Sequence, residues 1–403
     1  MSRKKQETVV DVAATQTPPP SPIQVSRENL VSGLADVKPV IGKGGLYALS
    51  HVLMEVTGNQ LQLAATNMDI VIRTFVHIQG NGAGWKMTVP AHTLDEVVRS
   101  LPNDTELTLQ MEEGNQLRIT ADRMEARIKG LPAAEFPLLP SFKADEETSL
   151  AAGAWARALK QALTAVAKDD AMPSLTHVHV EGHDGRLVMT ATDSHRLARA
   201  VCGGGGPCAH DVVWMFPKML AKLVADASAK REGGGPVLFA WEDAKKVMFD
   251  FGATVIQGTS SDMTFPDFRK IVEETFTTTD ISLVFDRTQL GQALRVVGVM
   301  MPDSRQVRLR LGRKEMTMWS GEDHTGETQQ LLPYHRGEVD AGTDGEELEL
   351  AVNGRYLRDA VDACTGELVL LRVAFADRSC PFIVASVEEG AEDYHLIMPM
   401  HMK

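Results

Sequence analysis

Apolar residues along this chain follow two rhythms in a fixed order. Three times a short alternating, strand-like stretch runs into a stretch with helical spacing: IQVSRENLVSGLADV from Ile23, SLAAGAWARALKQALTAV from Ser149, and ISLVFDRTQLGQALRVVGVM from Ile281. The starts lie about 130 residues apart. A second such unit recurs midway through each block: MTVPAHTLDEVVRSL from Met87, WMFPKMLAKLVADA from Trp214, and LELAVNGRYLRDAVDA from Leu348. Alternating, β-branched runs such as Glu106–Met111 and Gln116–Thr120 follow the helices, as expected of half-buried strands. The chain therefore reads as six helix-plus-sheet units, the mark of an internally repeated α+β fold. At 403 residues the length also fits about three domains, at roughly 150 residues each.

The expected boundaries fall where the pattern lapses. Residues 1–21 are polar and run into PPPSP (18–22), which predicts a disordered N-terminal extension. PLLPSFKADEET (137–148) and EETFTTTD (273–280) read as linkers. The domains are then 22–141, 149–272 and 280–403. Glycine runs at 203–206 and 233–235 read as hairpin loops, because no G-K-[ST] follows either one.

Charge changes the picture through its placement. The net charge is −13, which argues against a surface coated in nucleic acid. Yet at about 100° per residue, Arg157, Lys160 and Lys168 of the helix expected over 154–168 share one sector. Trp155, Leu159, Ala162, Leu163 and Val166 lie opposite. Lys218 and Lys222 share a face of a helix over 217–228, and Arg295 opposes Leu290, Leu294 and Val297. Basic faces at matching repeat positions suit sequence-blind contact with phosphates. Four thinly spread cysteines form no CxxC pair, and no apolar run is long enough to span a membrane, so a reduced cytoplasmic setting is expected.

The segment TATDSHRLARA (190–200) lines up an aspartate, a serine and a histidine. Consecutive residues at a strand end project alternately, so they do not converge as a hydrolytic triad must. The overlay LQLAATNMDI (61–70) on LVMTATDSHR (187–196) pairs Thr66 with Thr192 and Asn67 with Asp193. A shaped turn between two strands is what the repeat keeps. HVHVEGH offers His177, His179 and His183 as a metal set on an exposed strand; the i, i+2 pair shares one face, but no third and fourth ligands declare themselves beside it, and no metal or other cofactor is expected.

From about Pro22 to its C-terminus the chain resembles the bacterial DNA polymerase III beta subunit family, the beta sliding clamps. The resemblance rests on TVPAHTLDEVVRSLP (88–102), LPAAEFPLLP (131–140), TATDSHRLA (190–198), FPDFRKIV (265–272) and LIMPMHM (396–402) in order. It implies three similar domains per chain, each with two helices inside and antiparallel sheets outside, and two chains closed head to tail into a ring around duplex DNA. The implied role is that of a processivity subunit without catalysis of its own. The implied partners are duplex DNA, a second copy, the DNA polymerase III alpha subunit, the clamp loader and repair proteins, the proteins docking through short peptides.

Carried over by motif, the peptide pocket would comprise Leu175, Thr192, Ser194, His195, Arg196, Leu197, Pro266, Ile271, Leu396, Ile397, Met398, Pro399 and Met400, with Asn353, Tyr356 and Pro381 in an adjoining subsite. A partner's Leu-Phe anchor would fill the apolar slot, and a glutamine amide would bond its polar rim. DNA contacts would include Lys43 besides the basic residues above. Ring closure would bring Glu125–Lys129 to Val297–Met300 of the partner, with Ile128 and Val299 as apolar contacts. Ser194 stands where the family has glycine, His401 and Met172 where it has arginine, and Asn67 where it has aspartate. The alternative reading is a clamp-like adaptor that binds peptides and encircles no DNA.

Overall fold

The computed structural model describes residues 21–42, 46–82, 84–169, 171–183, 185–203, 212–231, 233, 235–301, 305–322, 326–339, 348–375, 377–388 and 392–401. The expected N-terminal extension, except its last residue, lies outside the described residues, as do Lys43, most of the first glycine run, Gly234 and Lys403. The chain folds as two compact units, Met1–Leu139 and Pro140–Lys403. Among the described residues no helix is long and apolar enough to cross a membrane.

In the first unit β1 (Ile23–Ser26) runs directly into α1 (Arg27–Val37), where Ser26 Oγ accepts the Asn29 N–H at 3.2 Å and caps the helix. A hairpin of β2 (His51–Thr66) and β3 (Ile70–Gly82) follows, then β4 (Lys86–Pro90) and α2 (Ala91–Arg99). The meander β5 (Glu106–Glu112), β6 (Gln116–Ala121) and β7 (Met124–Lys129) and the short β8 (Leu131–Pro132) complete it. All pairings are antiparallel, in the orders β7-β6-β5-β1-β3 and β3-β2-β4-β8. Period-two burial is plain in β6, where Leu117, Ile119 and Ala121 face inward. Helix α1 lies close on β3 because position 33 is glycine; a Cβ there would sit 2.6 Å from Val76 Cγ2.

The second unit repeats the strand-to-helix step four times. It begins with β9 (Glu146–Ala151), α3 (Ala152–Leu163), β10 (His177–His183), β11 (Arg186–Thr192) and β12 (Arg196–Gly203). Next come β13 (Val212–Pro217), α4 (Lys218–Lys230), β14 (Pro236–Glu242), β15 (Lys246–Asp250), β16 (Thr254–Thr259) and α5 (Arg269–Thr278). The remainder runs β17 (Ile281–Asp286), α6 (Arg287–Val297), β18 (Gln306–Leu311), β19 (Glu315–Glu322), β20 (Gly326–Pro333), β21 (Leu348–Asn353), α7 (Gly354–Ala363), β22 (Leu368–Val373), β23 (Phe382–Ser386) and β24 (Tyr394–Ile397). The antiparallel orders are β16-β15-β14-β9, β13-β10-β11-β12-β24-β23-β22-β17 and β20-β19-β18-β21. Helix α3 packs on α4, and α6 on α7. The core beneath α3 is aromatic: Trp155 meets Phe239 and Phe249 edge-on at 5.3 Å. Such pairs contribute about 0.5–1.5 kcal/mol each beyond area burial.

Two expectations about elements are corrected. The helix expected to reach Lys168 ends at Leu163, where Thr164 Oγ1 donates to the Gln161 carbonyl at 2.7 Å and the chain turns away. The stretch 273–280, read as a linker, is largely helix α5. Its threonines satisfy themselves within the helix: Thr275 and Thr277 donate to the Ile271 and Glu273 carbonyls at 2.6 and 2.8 Å.

Candidate functional site

The turn joining β11 to β12 is built by two side chains. Thr192 Oγ1 accepts the Ser194 N–H at 3.2 Å and donates to the Arg196 carbonyl at 2.7 Å. Asp193 Oδ1 accepts the N–H groups of His195 and Arg196, both at 3.1 Å. Between them Ser194 is forced to a left-handed φ of 72°. The β2–β3 turn has the same construction. Thr66 Oγ1 accepts from Met68 N and donates to the Ile70 carbonyl, both at 2.9 Å. Asn67 Oδ1 accepts from Asp69 and Ile70, and Met68 has φ 81°. The Asp-Ser-His run is thus a turn, and its carboxylate is committed to backbone N–H groups and to Arg196.

Arg196 is the buried centre of the second turn. Its Nε donates to Asp193 Oδ2 at 3.0 Å, its Nη1 to Asp359 Oδ2 at 2.9 Å, and its guanidinium lies 4.1 Å from the centre of the Tyr356 ring. Burial, then the Asp193 charge, pushes the Tyr356 phenol above its ordinary pKa. Behind Arg196, burial pushes His395 down to about 3, so its ring is neutral beside the guanidinium.

Above this polar floor opens an apolar cavity of about 570 Å³. Of the expected pocket residues, Leu175, Thr192, Ser194, Arg196, Leu197, Pro266, Ile271, Pro381, Leu396 and Met398 line it. Met172, Ser174, Thr264, Phe265, Asp267 and Phe268 also line it and were not expected. The two phenylalanines flank the proline in the FPDF motif, and that spacing was the signal that could have found them. Ile397 is a correction: β24 alternates, so Leu396 faces the cavity while Ile397 packs into the core with Leu283 and Phe285. His195, Asn353 and Tyr356 lie off the cavity wall. His195 supplies a carbonyl, Asn353 caps α7 through the Arg355 N–H at 3.1 Å, and Tyr356 stacks on Arg196.

The strap Met398–Met400 is tied by its backbone on both sides. Met398 N donates to the His195 carbonyl at 2.9 Å, and Met400 N to the Ala351 carbonyl at 2.7 Å. Met398 also borders a second cavity of about 340 Å³, lined by Glu349, Leu350, Ala351, Arg378, Ser379, Pro399, Met400 and His401.

The histidines of β10 are corrected as well. The strand is central rather than exposed, flanked by β11 and β13. His177 Nδ1 lies 3.0 Å from the Pro173 carbonyl. His179 stacks on Phe265 at 4.9 Å, and burial lowers its pKa. The side chain of His183 lies outside the described residues. Among the described residues no group of three or more His, Cys, Asp or Glu is placed to hold a metal ion.

The basic residues differ in how they are held. Lys160, Lys168, Lys218, Lys222 and Arg295 are exposed. Lys218 Nζ donates to the Ala167 carbonyl at 3.2 Å, and Lys222 pairs with Asp226. Arg157 is half-buried, paired with Asp393 and bonded to the Val201 carbonyl at 2.7 Å. Of the two apolar residues expected at the ring joint, Val299 is 77% exposed but Ile128 only 6%. Ile128 sits opposite Leu117 on the inner face of β7, so its side chain is already covered by its own unit.

Comparison with known proteins agrees along nearly the whole chain. The family model for the DNA polymerase III beta subunit, N-terminal domain, matches residues 22–140, and that for the C-terminal domain of the same subunit matches residues 276–401. The beta sliding clamp of Caulobacter vibrioides is 27% identical over 392 residues, covering 94% of this chain and 100% of the relative. That of Vibrio cholerae is 24% identical over 384 residues, covering 94% and 99%. Among solved structures, the Pseudomonas aeruginosa DnaN sliding clamp bound to griselimycin superposes with a TM-score of 0.84 at 24% identity, covering 94% of this chain and 99% of that one. The Bacillus subtilis sliding clamp gives 0.83 at 18% identity, covering 95% and 99%.

Proposed function

The chain belongs to the DNA polymerase III beta subunit family, the beta sliding clamps, and acts as a sliding clamp in DNA replication; from that premise we propose how its residues serve the role. Three domains, 22–141, 149–272 and 280–403, make half of a ring, and two copies close it around duplex DNA. The ring holds DNA by topology, so its phosphate contacts stay loose enough to slide. Lys43, Lys160, Lys168, Lys218, Lys222 and Arg295 supply those contacts. Arg157 contributes least, because Asp393 already neutralises it.

The observation that carries the partner-binding role is the apolar cavity of about 570 Å³ lined at its base by Arg196, which is paired with two carboxylates. Its Leu, Ile, Phe, Pro and Met walls suit a Leu-Phe anchor of the polymerase alpha subunit, the clamp loader or repair proteins. Methionine at the rim adapts to several peptides. Asn353, Tyr356, Pro399 and Met400 shape the side that receives the glutamine.

The repeat itself supports the ring joint. Strand β12 follows β10 and β11 and pairs antiparallel with β24, the last strand of the chain, Arg196 opposite Ile397. Strand β20 follows β18 and β19 in the same way, and β7 ends its own meander as β24 does. A β20 edge paired with β7 of a second copy repeats that joint and hides two strand edges. Val299 and Met300 lie beside β20 as the apolar contribution, while β7 offers backbone rather than Ile128.

The test is retention on nicked circular DNA after loading, with release when the circle is cut. Retention that ignores linearisation would establish instead the adaptor that never encircles DNA, a reading favoured only by the pairing of Arg157 and Lys222 with carboxylates. Replacing Lys218 and Lys222 together with glutamate should cut retention about tenfold at moderate salt, with the melting temperature unchanged. Val299→Glu should shift the solution mass from two chains to one.

A further inference from the structure

We propose that His179 is a positioning residue of the apolar cavity: its imidazole backs Phe265 and Phe268, and the aromatic wall so fixed makes the cavity favour phenylalanine over leucine at the end of a partner's anchor. The inference rests on the peptide-binding reading above and adds the residue that sets the preference. Both phenylalanines line the cavity. They belong to the stretch 261–268, which forms neither helix nor strand, so no regular ladder of backbone hydrogen bonds fixes their rings. The stretch is tied near its ends. Ser261 N donates to the Met215 carbonyl at 2.9 Å, and Asp267 Oδ1 accepts the Arg269 N–H at 3.1 Å where α5 begins.

Between those ties the rings lean on β10, a central strand flanked by β11 and β13. His179 lies nearly parallel to Phe265, with 16° between the planes and 4.9 Å between the centres. Phe268 meets both rings edge-on, 5.8 Å from Phe265 and 6.2 Å from His179. These are the arrangements in which aromatic quadrupoles attract. Phe268 packs in turn against the cluster of Leu197, Ile383 and Leu396, and both leucines line the same cavity. Hydrogen bonding does not explain a histidine at 179, because its Nδ1 is buried with no partner among the described residues. Its flat ring does. Burial lowers the imidazole pKa, so the ring stacks uncharged at neutral pH. The nearby charges are spent on each other: Arg269 donates to Glu181 Oε1 at 2.7 Å, which also ties the start of α5 to β10. A phenylalanine entering the cavity meets this block ring against ring, and a leucine does not.

The experiment uses the full chain and two fluorescein-labelled synthetic peptides that differ only at the end of the anchor, Leu-Phe in one and Leu-Leu in the other. Fluorescence anisotropy should find the Leu-Phe peptide bound about threefold to tenfold tighter, the range of one aromatic pair. In His179→Ala that ratio should fall to about one, with the Leu-Leu peptide bound as in the parent chain. His179→Phe, which keeps a flat ring, should restore it. His179→Leu keeps the bulk without the ring and should lose the ratio as the alanine does, so it carries the same test should the alanine variant fail to fold. Phe265→Leu should lose the ratio too, and adding His179→Ala to it should cost nothing more, because the two rings act as one unit. An equal loss for both peptides in His179→Ala overturns the proposal, since the residue then serves only the fold. A ratio that His179→Phe does not restore, or losses that add in the double variant, overturns the stacking account. Equal binding of the two peptides by the parent chain overturns the preference but leaves the groove. Failure of both peptides to bind removes the groove reading, and this proposal with it.

Discussion

The β2–β3 turn and the β11–β12 turn share one backbone design and have separate fates. Both use a threonine hydroxyl and an Asx oxygen to hold a non-glycine residue left-handed. In the first, the chain continues into Ile70, which is buried as an ordinary strand residue. In the second, the same position is Arg196, and two carboxylates, a tyrosine face and a neutral histidine gather around it. The repeat explains the shape of the turn. The site comes from what the second copy adds: the arginine, and the strap that bonds back to His195. A motif can therefore be structural in one copy and functional in another without any change of backbone.

The sharpest way to break this comparison is to remove the strap. Deleting Met398–Lys403 should lower peptide affinity by at least about a hundredfold, two decades being about 2.7 kcal/mol. The solution mass should still be that of two chains. Loss of the dimer in the same variant would place the strap in the ring joint instead.

Next in size is a paired substitution in the two turns. Asp193→Ala strips two N–H groups of their acceptor and leaves Arg196 with one carboxylate, at a cost of about 3 kcal/mol. Asn67→Ala strips the Asp69 and Ile70 N–H groups of their acceptor and should cost about 1 kcal/mol. Denaturation followed by tryptophan fluorescence separates them, since Trp85 reports the first unit and Trp155, Trp214, Trp241 and Trp319 the second. Equal costs would mean that Arg196 draws nothing from Asp193.

Acid sharpens the contrast further. His395 is held near 3 in the folded chain against an ordinary 6.5, so below pH 6.5 the unfolded chain takes a proton that the folded one refuses. Its contribution is fully present above pH 6.5 and is lost as pH falls toward 3. By pH 5 the loss should reach about 2 kcal/mol, and His395→Leu should remove that part of the slope. An unchanged slope in the variant would show the proton to be taken elsewhere.

The smallest effect is also the most symmetric. Ser194→Gly and Met68→Gly each relieve a left-handed residue and should each change stability by less than about 1 kcal/mol, alike in sign. Opposite signs would mean that one side chain makes contacts the other lacks.

Much of this is legible in the amino-acid sequence. The six strand-to-helix steps show in hydrophobic spacing, and the matching turns show in Thr66-Asn67 and Thr192-Asp193, because hydrogen-bonding side chains specify turns locally. Other features depend on distant residues and leave no local trace. Asp393 captures Arg157 from 236 positions away, and Asp359 reaches Arg196 from 163. Helix α5 was hidden because threonines read as strand or loop until their hydroxyls are seen bonding back along the helix. That Ile128 points inward is not legible either, because the pairing of β7 with β6, not composition, decides which residues of the strand are covered. The histidines of β10 looked solvent-facing only because a central strand and an edge strand can carry the same letters.

The stapled turn also acts as a ruler for everything downstream. It sets Thr192 opposite Leu197, and β12 in turn sets Leu197 opposite Leu396. A slip of one residue at Ser194 would swing Leu197 and Ala198 to opposite faces and carry the misalignment across to β24. The two hydrogen-bonding side chains of a short bend thereby keep the count for a strand that enters the sequence nearly two hundred residues later.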